Sequence, residues 1–372
     1  MTRQIAIICT GGTIACTADD SGALVPSVSA QQLVDAATQA LAEGMHDDGA
    51  PDDTALADDT ALADGVRFRI HDTLQLDSSS IGLAELDTLL AAIAEQATDP
   101  SIDAVVVTHG TDSMEESAFA TALLVRGAPV VFTGAQRAFD HPATDGPANL
   151  AGAINRALEL ADARATTNTD NAANATATIA DTYSPAATAV EVHFAGKNLP
   201  GHSVHKRHTA DLAAFASHAG DSACADDSAY ADDDRVTARP ARFPAPAQLP
   251  KLDGYFVPII AGYPGATPEL VDYAVDHHAD GLVIEALGSG NMSAELGPAV
   301  VRALERGIPV IVATRVPQGA VALAYGGGGG GATLAEHGAV SARTVHPGQA
   351  RLALIIALST GTSPEELFQD FD

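Results

Sequence analysis

The sequence predicts an α/β protein with two domains, each built on a mainly parallel sheet, the first domain being the larger. Short apolar runs alternate along the chain with longer stretches of helical period, which is the pattern of parallel strands joined by helices. The chain has 372 residues, and a chain of that length usually divides into two domains with separate cores.

In the N-terminal part, short runs of four to six residues with recurring apolar side chains predict five strands, and stretches of helical period predict four helices. The strands are Ile5–Cys9, Val66–His71, Ala104–Thr108, Val130–Thr133 and Val190–Phe194. The helices are Ala30–Glu43, Leu83–Ala97, Met114–Arg126 and Gly146–Ala161. Ser29 is a suitable N-cap for the first of them.

The C-terminal part repeats the alternation with three strands and three helices. The strands are Gly254–Ile259, Gly281–Glu285 and Pro309–Ala313, and the helices are Pro268–His278, Ala294–Arg306 and Pro347–Thr360. Thr267 and Ser293 are suitable N-caps for the first two of these helices.

Three segments interrupt this pattern. His46–Gly65 contains Asp-Asp-Thr-Ala-Leu-Ala twice in succession, and Ala163–Pro185 is rich in Ala, Thr and Asn, so both are predicted to be loop insertions. Gly220–Pro250 is rich in Asp, Ala and Pro, which is typical of a linker. We therefore expect domains at residues 1–219 and 251–372, joined by an acidic linker at residues 220–250.

The composition is strongly acidic, with 48 Asp and Glu against 19 Lys and Arg and a formal charge of −29. This charge argues against a nucleic-acid partner. Asp far exceeds Glu and only three lysines occur, which favours adaptation to concentrated salt, where a Debye length of about 3 Å screens crowded carboxylates. A merely acidic protein from ordinary salt is the alternative.

The cysteines indicate a reducing compartment. Cys9, Cys16 and Cys224 form an odd set without a CxxC pair, which suggests neither a disulfide framework nor a zinc site. The first apolar run, Ile5–Cys9, is far too short for a secretory signal or a membrane span. We therefore expect a cytoplasmic protein with no membrane partner.

Three predicted strands are followed by segments that could carry chemistry. Thr10–Ala15 contains two glycines, which would let backbone N–H groups approach an anion or a developing oxyanion, although glycines also end strands merely to turn. In Thr108–Ser113 a threonine lies beside an aspartate, as in a nucleophile with a relay, while the alternative is a helix cap formed by Ser113 or Asp112. Leu76–Ser80 is either a polar turn or a set of hydroxyls for a substrate carboxylate.

These motifs, taken with four others in the same order, resemble the bacterial-type L-asparaginase/glutaminase family. They are Thr-Gly-Gly-Thr-Ile-Ala at Thr10–Ala15, Asp-Ser-Ser at Asp77–Ser79, His-Gly-Thr-Asp at His109–Asp112, Thr-Gly-Ala-Gln-Arg at Thr133–Arg137, Asp-Gly-Pro-x-Asn-Leu at Asp145–Leu150, Gly-Ser-Gly-Asn at Gly288–Asn291 and Arg-Val-Pro-Gln-Gly at Arg315–Gly319. The resemblance covers nearly the whole chain apart from the three interruptions.

The resemblance implies hydrolysis of a side-chain amide through a covalent acyl-enzyme, without a metal or an organic cofactor. It makes Thr13 the nucleophile, Thr111 the second catalytic threonine and Asp112 the partner of the substrate's α-amino group, while Ser78 binds the α-carboxylate. Gly12, Asp77, Ser79 and Gly110 complete the implied substrate pocket. The resemblance also implies a homodimer or homotetramer, in which Asn291 of one subunit contributes to the active site of a neighbouring subunit.

The sequence departs from the family pattern at three places where protons are handled. The family lysine is expected just after a Thr-x-Asp-x-x-x-Phe stretch, and after Thr209, Asp211 and Phe215 this chain has Ala216. A hinge tyrosine is expected in Ala18–Ser29, which contains none, and an acid is expected where the glycine run at 326–331 stands. Possible substitutes for the lysine are His205, Lys206, His208 and His218.

The sequence is compatible with three functions. The first is an L-asparaginase-type amidohydrolase that converts asparagine to aspartate and ammonia with an altered proton relay. The second is a degenerate relative that binds an amino acid or amide without turnover. The third, favoured least, is the related subunit of a tRNA-dependent amidotransferase. The choice between asparagine and glutamine depends on roughly one methylene of pocket depth, worth about 1–3 kcal/mol, and the sequence does not decide it.

Overall fold

A computed structural model describes residues 2–44, 65–173, 189–217 and 248–371. The chain forms two compact units, Met1–Pro240 and Ala241–Asp372. Both combine parallel sheets with helices, which confirms the predicted α/β class. Residues 46–64 of the first predicted insertion, residues 174–185 of the second, and residues 220–247 of the predicted linker lie outside the described residues.

The first unit is organised around a six-stranded sheet in the order β4-β1-β5-β6-β7-β8. The first five strands in this order run parallel and β8 is antiparallel to β7. Two small antiparallel pairs, β2 with β3 and β9 with β10, accompany the sheet. The strands are β1 (Arg3–Gly11), β2 (Cys16–Ala18), β3 (Leu24–Pro26), β4 (Val66–Leu76), β5 (Ala104–Thr108), β6 (Val130–Thr133), β7 (Val190–Phe194), β8 (Lys197–Pro200), β9 (Val204–Lys206) and β10 (Phe215–Ser217).

Four helices belong to this unit: α1 (Ala30–Gly44), α2 (Leu83–Thr98), α3 (Met114–Leu124) and α4 (Gly146–Ala173). Alternate residues of β1, such as Ile5 and Ile7, pack with buried residues of α1 and α4 in one core. Because β1 and β5 are covered on both faces, their residues form continuous buried runs. The helix α4 extends to Ala173, so the predicted loop is wrong for 163–173, where alanine favours continuation of the helix.

The second unit contains a four-stranded parallel sheet in the order β11-β12-β13-β14. Its strands are β11 (Ile259–Ala261), β12 (Leu282–Ala286), β13 (Val310–Thr314) and β14 (Val340–Ser341), and its helices are α5 (Glu269–Asp276), α6 (Leu296–Glu305), α7 (Gly331–Glu336), α8 (Pro347–Thr360) and α9 (Pro364–Phe368). The predicted strand Gly254–Ile259 is wrong. Gly254 has φ of 106° and lies in a turn, and Pro258 has no N–H for a ladder, so pairing begins only at Ile259.

Two further sequence predictions concern the state of the cysteines and the presence of membrane-spanning helices. Cys9 and Cys16 are buried and free, while Cys224 lies outside the described residues. In the described part of the chain, none of the helices is both long and apolar enough to cross a membrane.

Candidate active site

The carboxyl ends of β4, β1 and β5 meet at one edge of the first sheet, because these strands are parallel neighbours. The segments that follow them are hydrogen-bonded to one another. Gly12 N–H donates to the Leu76 carbonyl at 3.1 Å, Asp112 N–H donates to Ser78 Oγ at 3.0 Å, and the Ser113 hydroxyl donates to the Ser78 carbonyl at 2.7 Å. Three motifs that lie far apart in the sequence are thereby brought together, at the edge where open α/β sheets bind ligands.

Two glycines permit this approach. Gly12 has φ of 76°, and a Cβ placed on it would lie 2.4 Å from Gly110 Cα. A Cβ on Gly110 would lie 2.5 Å from Ser78 Oγ. The backbones after β1 and β5 are therefore in direct contact, and a side chain at Gly12 would push them apart. A side chain at Gly110 would clash with Ser78, which follows β4.

Replacement of Gly12 by alanine is expected to lower the free energy of unfolding by about 3 kcal/mol or more, because a left-handed penalty of about 1–2 kcal/mol adds to a clash with backbone. Gly22 is the matched control, since its φ is 83° but a Cβ there would meet nothing within 4 Å. Denaturant unfolding should show only the smaller penalty for Gly22→Ala. Equal losses in the two variants would contradict the close contact inferred at Gly12.

Thr13 begins a short 3-10 turn, Thr13–Ala15, directly after β1. Ile14 and Ala15 are buried in the core, and Thr13 itself is half-buried. Among the residues that the structure describes, none hydrogen-bonds to the Thr13 hydroxyl. The turn thus anchors the backbone while leaving the hydroxyl available to another molecule.

The hydroxyl of Thr111 and the carboxylate of Asp112 share one lysine. Lys206 Nζ lies 2.8 Å from Thr111 Oγ1 and 2.7 Å from Asp112 Oδ1. Thr111 is buried, the Lys206 side chain is 18% exposed, and the Asp112 side chain is 63% exposed. An ammonium group on a buried hydroxyl, with a carboxylate beside it, is an arrangement that can transfer or hold a proton.

A lysine is therefore present beside Thr111 and Asp112, although not at position 216. Lys206, one of the four predicted substitutes, ends β9, and the antiparallel register pairs it with Phe215 of β10. Ala216, the position where the lysine was expected, is buried on β10 opposite His205. The chain reverses between the two strands, so a residue before the Thr209–Phe215 stretch reaches the site rather than one after it.

The other predicted substitutes have different surroundings. His205 is buried on β9, and successive strand residues point to opposite faces. His208 Nδ1 accepts the N–H groups of Ala210 and Asp211 in the turn between β9 and β10. His218 lies outside the described residues.

A helix cap or a polar turn does not account for the side chains at this edge of the sheet. Ser113 occupies the N-cap position of α3 but makes no side-chain cap bond, because its hydroxyl is committed to Ser78. Asp112 is directed to Lys206 instead of to the helix. Ser78 is 5% exposed, while its neighbours Asp77 and Ser79 are exposed. The residues thus hold the site together instead of merely starting a helix or a turn.

Two further motifs of the first unit support the site's scaffold. The Asp145 carboxylate accepts the N–H groups of Gln136 and Arg137 at 3.0 and 2.9 Å. The Asn149 amide donates to the Gly134 carbonyl at 3.0 Å and accepts the Ala195 N–H at 3.0 Å. These side chains brace the loop after β6 by satisfying its backbone groups.

His109 lies completely buried behind the Thr111 loop. Its Nδ1 is 2.7 Å from the Gly110 carbonyl, so Nδ1 carries the proton, and its Nε2 accepts the Ser117 hydroxyl at 3.0 Å. Burial lowers the pKa of His109 to about 4. The neutral imidazole is thus a fixed part of the scaffold.

This histidine predicts acid sensitivity. In the unfolded chain this histidine binds a proton below its ordinary pKa of about 6.5, whereas in the folded chain it binds one only below about pH 4. The free energy of unfolding therefore falls as the pH decreases from 6.5 to 4, by up to about 3 kcal/mol. The free energy of unfolding should be measured from pH 7 to 4 at constant salt. In His109→Gln the free energy of unfolding should depend on pH less steeply than in the native chain, by the equivalent of about one proton. Equal slopes in the two proteins would contradict the assignment of the acid sensitivity to His109.

Asn291 belongs to the second unit. It follows the turn after β12, where Leu287 and Asn291 form a bridge, and its Oδ1 lies 3.4 Å from the Gly331 N–H. In the glycine run at 326–331, a Cβ on Gly329 would lie 2.2 Å from the Met292 carbonyl oxygen, and a Cβ on Gly297 would lie 1.7 Å from the Gly328 carbonyl oxygen. These glycines therefore pack backbone against backbone around Asn291.

Comparison with known protein families matches most of the chain. The asparaginase N-terminal domain matches residues 4–165, and the glutaminase/asparaginase C-terminal domain matches residues 256–371. The chain belongs to the asparaginase family. This membership confirms the resemblance that the motifs indicated.

Individual relatives agree with this family. A probable L-asparaginase of Deinococcus radiodurans is 34% identical over 308 residues, covering 82% of this chain and 86% of the relative. The thermostable L-asparaginase from Thermococcus kodakarensis superposes with a TM-score of 0.69 at 25% identity, covering 99% of this chain and 96% of that one. A subunit of the glutamyl-tRNA(Gln) amidotransferase of Methanopyrus kandleri is 26% identical over 325 residues, covering 86% of this chain and 62% of the relative.

Proposed function

We propose that this asparaginase-family chain hydrolyses the side-chain amide of L-asparagine to aspartate and ammonia, with Thr13 as the nucleophile. The observation that carries the proposal is the contact of Lys206 Nζ with Thr111 and Asp112, at the sheet edge that also presents Thr13. Lysine is rare in this chain, with three in 372 residues. Lys251 is 76% exposed and Lys197 is exposed, whereas the Lys206 side chain is only 18% exposed.

The chemistry proceeds in two displacement steps. Thr13 Oγ adds to the amide carbon as its proton is relayed through Thr111 and Lys206 to the Asp112 carboxylate. The C–N bond then breaks, and the leaving nitrogen takes that proton back from the relay and departs as ammonia. Water then adds to the carbonyl carbon of the resulting ester, one of its protons passes to Thr13 Oγ as the bond to Thr13 breaks, and aspartate leaves. A hydroxyl nucleophile needs such assistance because it is weak at its own pKa.

The substrate's backbone groups have complementary partners at the same edge. Asp112 keeps its carboxylate 63% exposed while it contacts Lys206, so it can accept a substrate ammonium. Ser78, Ser79 and the N–H groups beside Gly12 and Gly110 are donors for the substrate's carboxylate and for the developing oxyanion. Asp77, which is exposed beside Ser78, completes the proposed pocket.

The test is ammonia release by the purified chain at several molar KCl, with L-asparagine and L-glutamine as alternative substrates. Turnover of either amide supports the amidohydrolase, and their ratio decides the preference. A folded chain that releases no ammonia from either substrate would overturn the proposal.

The second candidate is a relative that binds an amino acid without turnover. It is favoured by the hairpin β2–β3, whose region Ala18–Ser29 has no tyrosine and presents exposed Leu24 and Val25 instead. This candidate predicts a rise in Tm with L-asparagine or L-aspartate and no ammonia. The similarity to an amidotransferase subunit suggests a third assay, in which ammonia released from glutamine would be transferred to a charged tRNA. We expect no such transfer.

The same proposal includes the cellular compartment and the oligomeric state of the enzyme. We expect a cytoplasmic, salt-adapted homodimer or homotetramer in which Asn291 serves the site of a neighbouring subunit. The monomer should then bind L-aspartate more weakly than the oligomer does. Calorimetry at protein concentrations below and above the one at which the oligomer dissociates would measure this difference.

A further inference from the structure

We infer that Glu115 is the positioning residue that aims Lys206 at Thr111 and Asp112, an inference that rests on the proposed function. The carboxylate of Glu115 accepts the backbone N–H of Lys206. It thereby ties α3, which begins just after the Thr111–Asp112 segment, to β9, which carries the lysine.

The ribbon that carries Lys206 needs such a tie. Strands β9 and β10 have three residues each and, within the described ranges, form ladder pairs only with one another. Such a short ladder is marginally stable by itself, so the ribbon depends on the packing of its buried residues Val204 and Phe215 and on the bond from Glu115. A lysine ammonium at the end of a long side chain can be placed to within a few tenths of an ångström only if its backbone is held.

Glu115 is suited to hold that backbone in place. It lies in the first turn of α3, where the helix dipole favours a negative charge. A carboxylate that accepts an N–H forms a stronger bond than a neutral acceptor does. Burial raises the pKa of the Glu115 carboxyl, and the Lys206 N–H and ammonium act in the opposite direction. The carboxylate thus lies in a protected place, where its bond competes little with water.

The inference can be tested without any assay of turnover, because the chain has only three lysines. Trace acetylation followed by peptide mass spectrometry gives the reaction rate of each lysine separately. In Glu115→Ala the rate at Lys206 should rise at least about fivefold relative to Lys197 and Lys251, which serve as internal references. In Glu115→Gln, which keeps an acceptor oxygen, the rate should stay within about twofold of the native rate. An unchanged Lys206 rate in Glu115→Ala would overturn the inference.

Glu116→Ala is the matched control on the same turn of α3, and it should leave the Lys206 rate at the native value. An equal rise in Glu116→Ala would mean that any change in α3 loosens the ribbon, and would overturn the inference as well. If Glu115→Ala does not fold, Glu115→Asp replaces it, since the shorter side chain withdraws the acceptor. It should raise the Lys206 rate in the same direction, and no rise in a folded Glu115→Asp chain would overturn the inference.

Kinetics provide the second readout. In Glu115→Ala kcat should fall about tenfold with KM within about threefold, and Glu115→Gln should recover most of the loss. Combined with Lys206→Met, the Glu115 change should cost nothing further, because it acts through the lysine. Additive losses would overturn the inference. A native chain without ammonia release but with the labelling change would refute the proposed function alone.

Discussion

Replacement of Thr13 by alanine is expected to abolish ammonia release from L-asparagine, by at least about 10⁴-fold in kcat, because the acyl-enzyme then has no hydroxyl to form on. Thr10, the nearby threonine of β1, is fully buried and donates to the Thr108 carbonyl. Thr13 is half-buried at the surface of the turn, so the change should shift Tm only slightly. Ammonia should be measured with a coupled assay at constant KCl, alongside the L-aspartate-dependent rise in Tm.

Two companion variants make this result specific. Thr13→Ser keeps a hydroxyl at the same place and should retain measurable turnover. Thr88→Ala removes an exposed threonine on α2 and should leave kcat unchanged. Persistent turnover in Thr13→Ala would exclude Thr13 as the nucleophile, although the binding of L-aspartate could still persist.

Replacement of Lys206 by methionine is expected to lower kcat by about 10²- to 10⁴-fold, the usual range for loss of general acid–base assistance. Methionine keeps most of the aliphatic length but offers neither a proton nor a charge to Thr111 and Asp112. Because the Asp112 side chain is 63% exposed, the lost ion pair should cost no more than about 1 kcal/mol of stability. Steady-state kinetics and thermal unfolding of the same preparations would separate the two effects.

Lys197→Met is the matched control for this experiment, because Lys197 is exposed on β8, and its kcat should equal the native value. Ala216→Lys tests the same assignment from the other side. A lysine at this buried position of β10 should destabilise the ribbon and lower activity. A gain in activity would instead mean that position 216 carries the relay.

Much of the fold follows from local physics. Ala104–Thr108 and Val130–Thr133 are apolar throughout except for their terminal threonines, and both segments are strands with these bounds. Gly254–Ile259 reads as a similar run, yet the turn at Gly254 and the missing N–H of Pro258 delay pairing until Ile259. The end of α4 is harder to predict, because the alanine-rich composition after Ala161 fits both a helix and a polar loop.

By itself, the sequence predicted a mainly parallel sheet in which three strands are each followed by a segment that could carry chemistry. Its motifs thus located Thr13, Ser78, Thr111 and Asp112. Only the tertiary structure decided which basic residue completes the group. Lys206 and His205 are adjacent in the chain, and the register of a three-residue ribbon, held to α3 through Glu115, directs the lysine toward Thr111. Spacing along the chain does not encode that choice, because it depends on a contact between residues 91 positions apart.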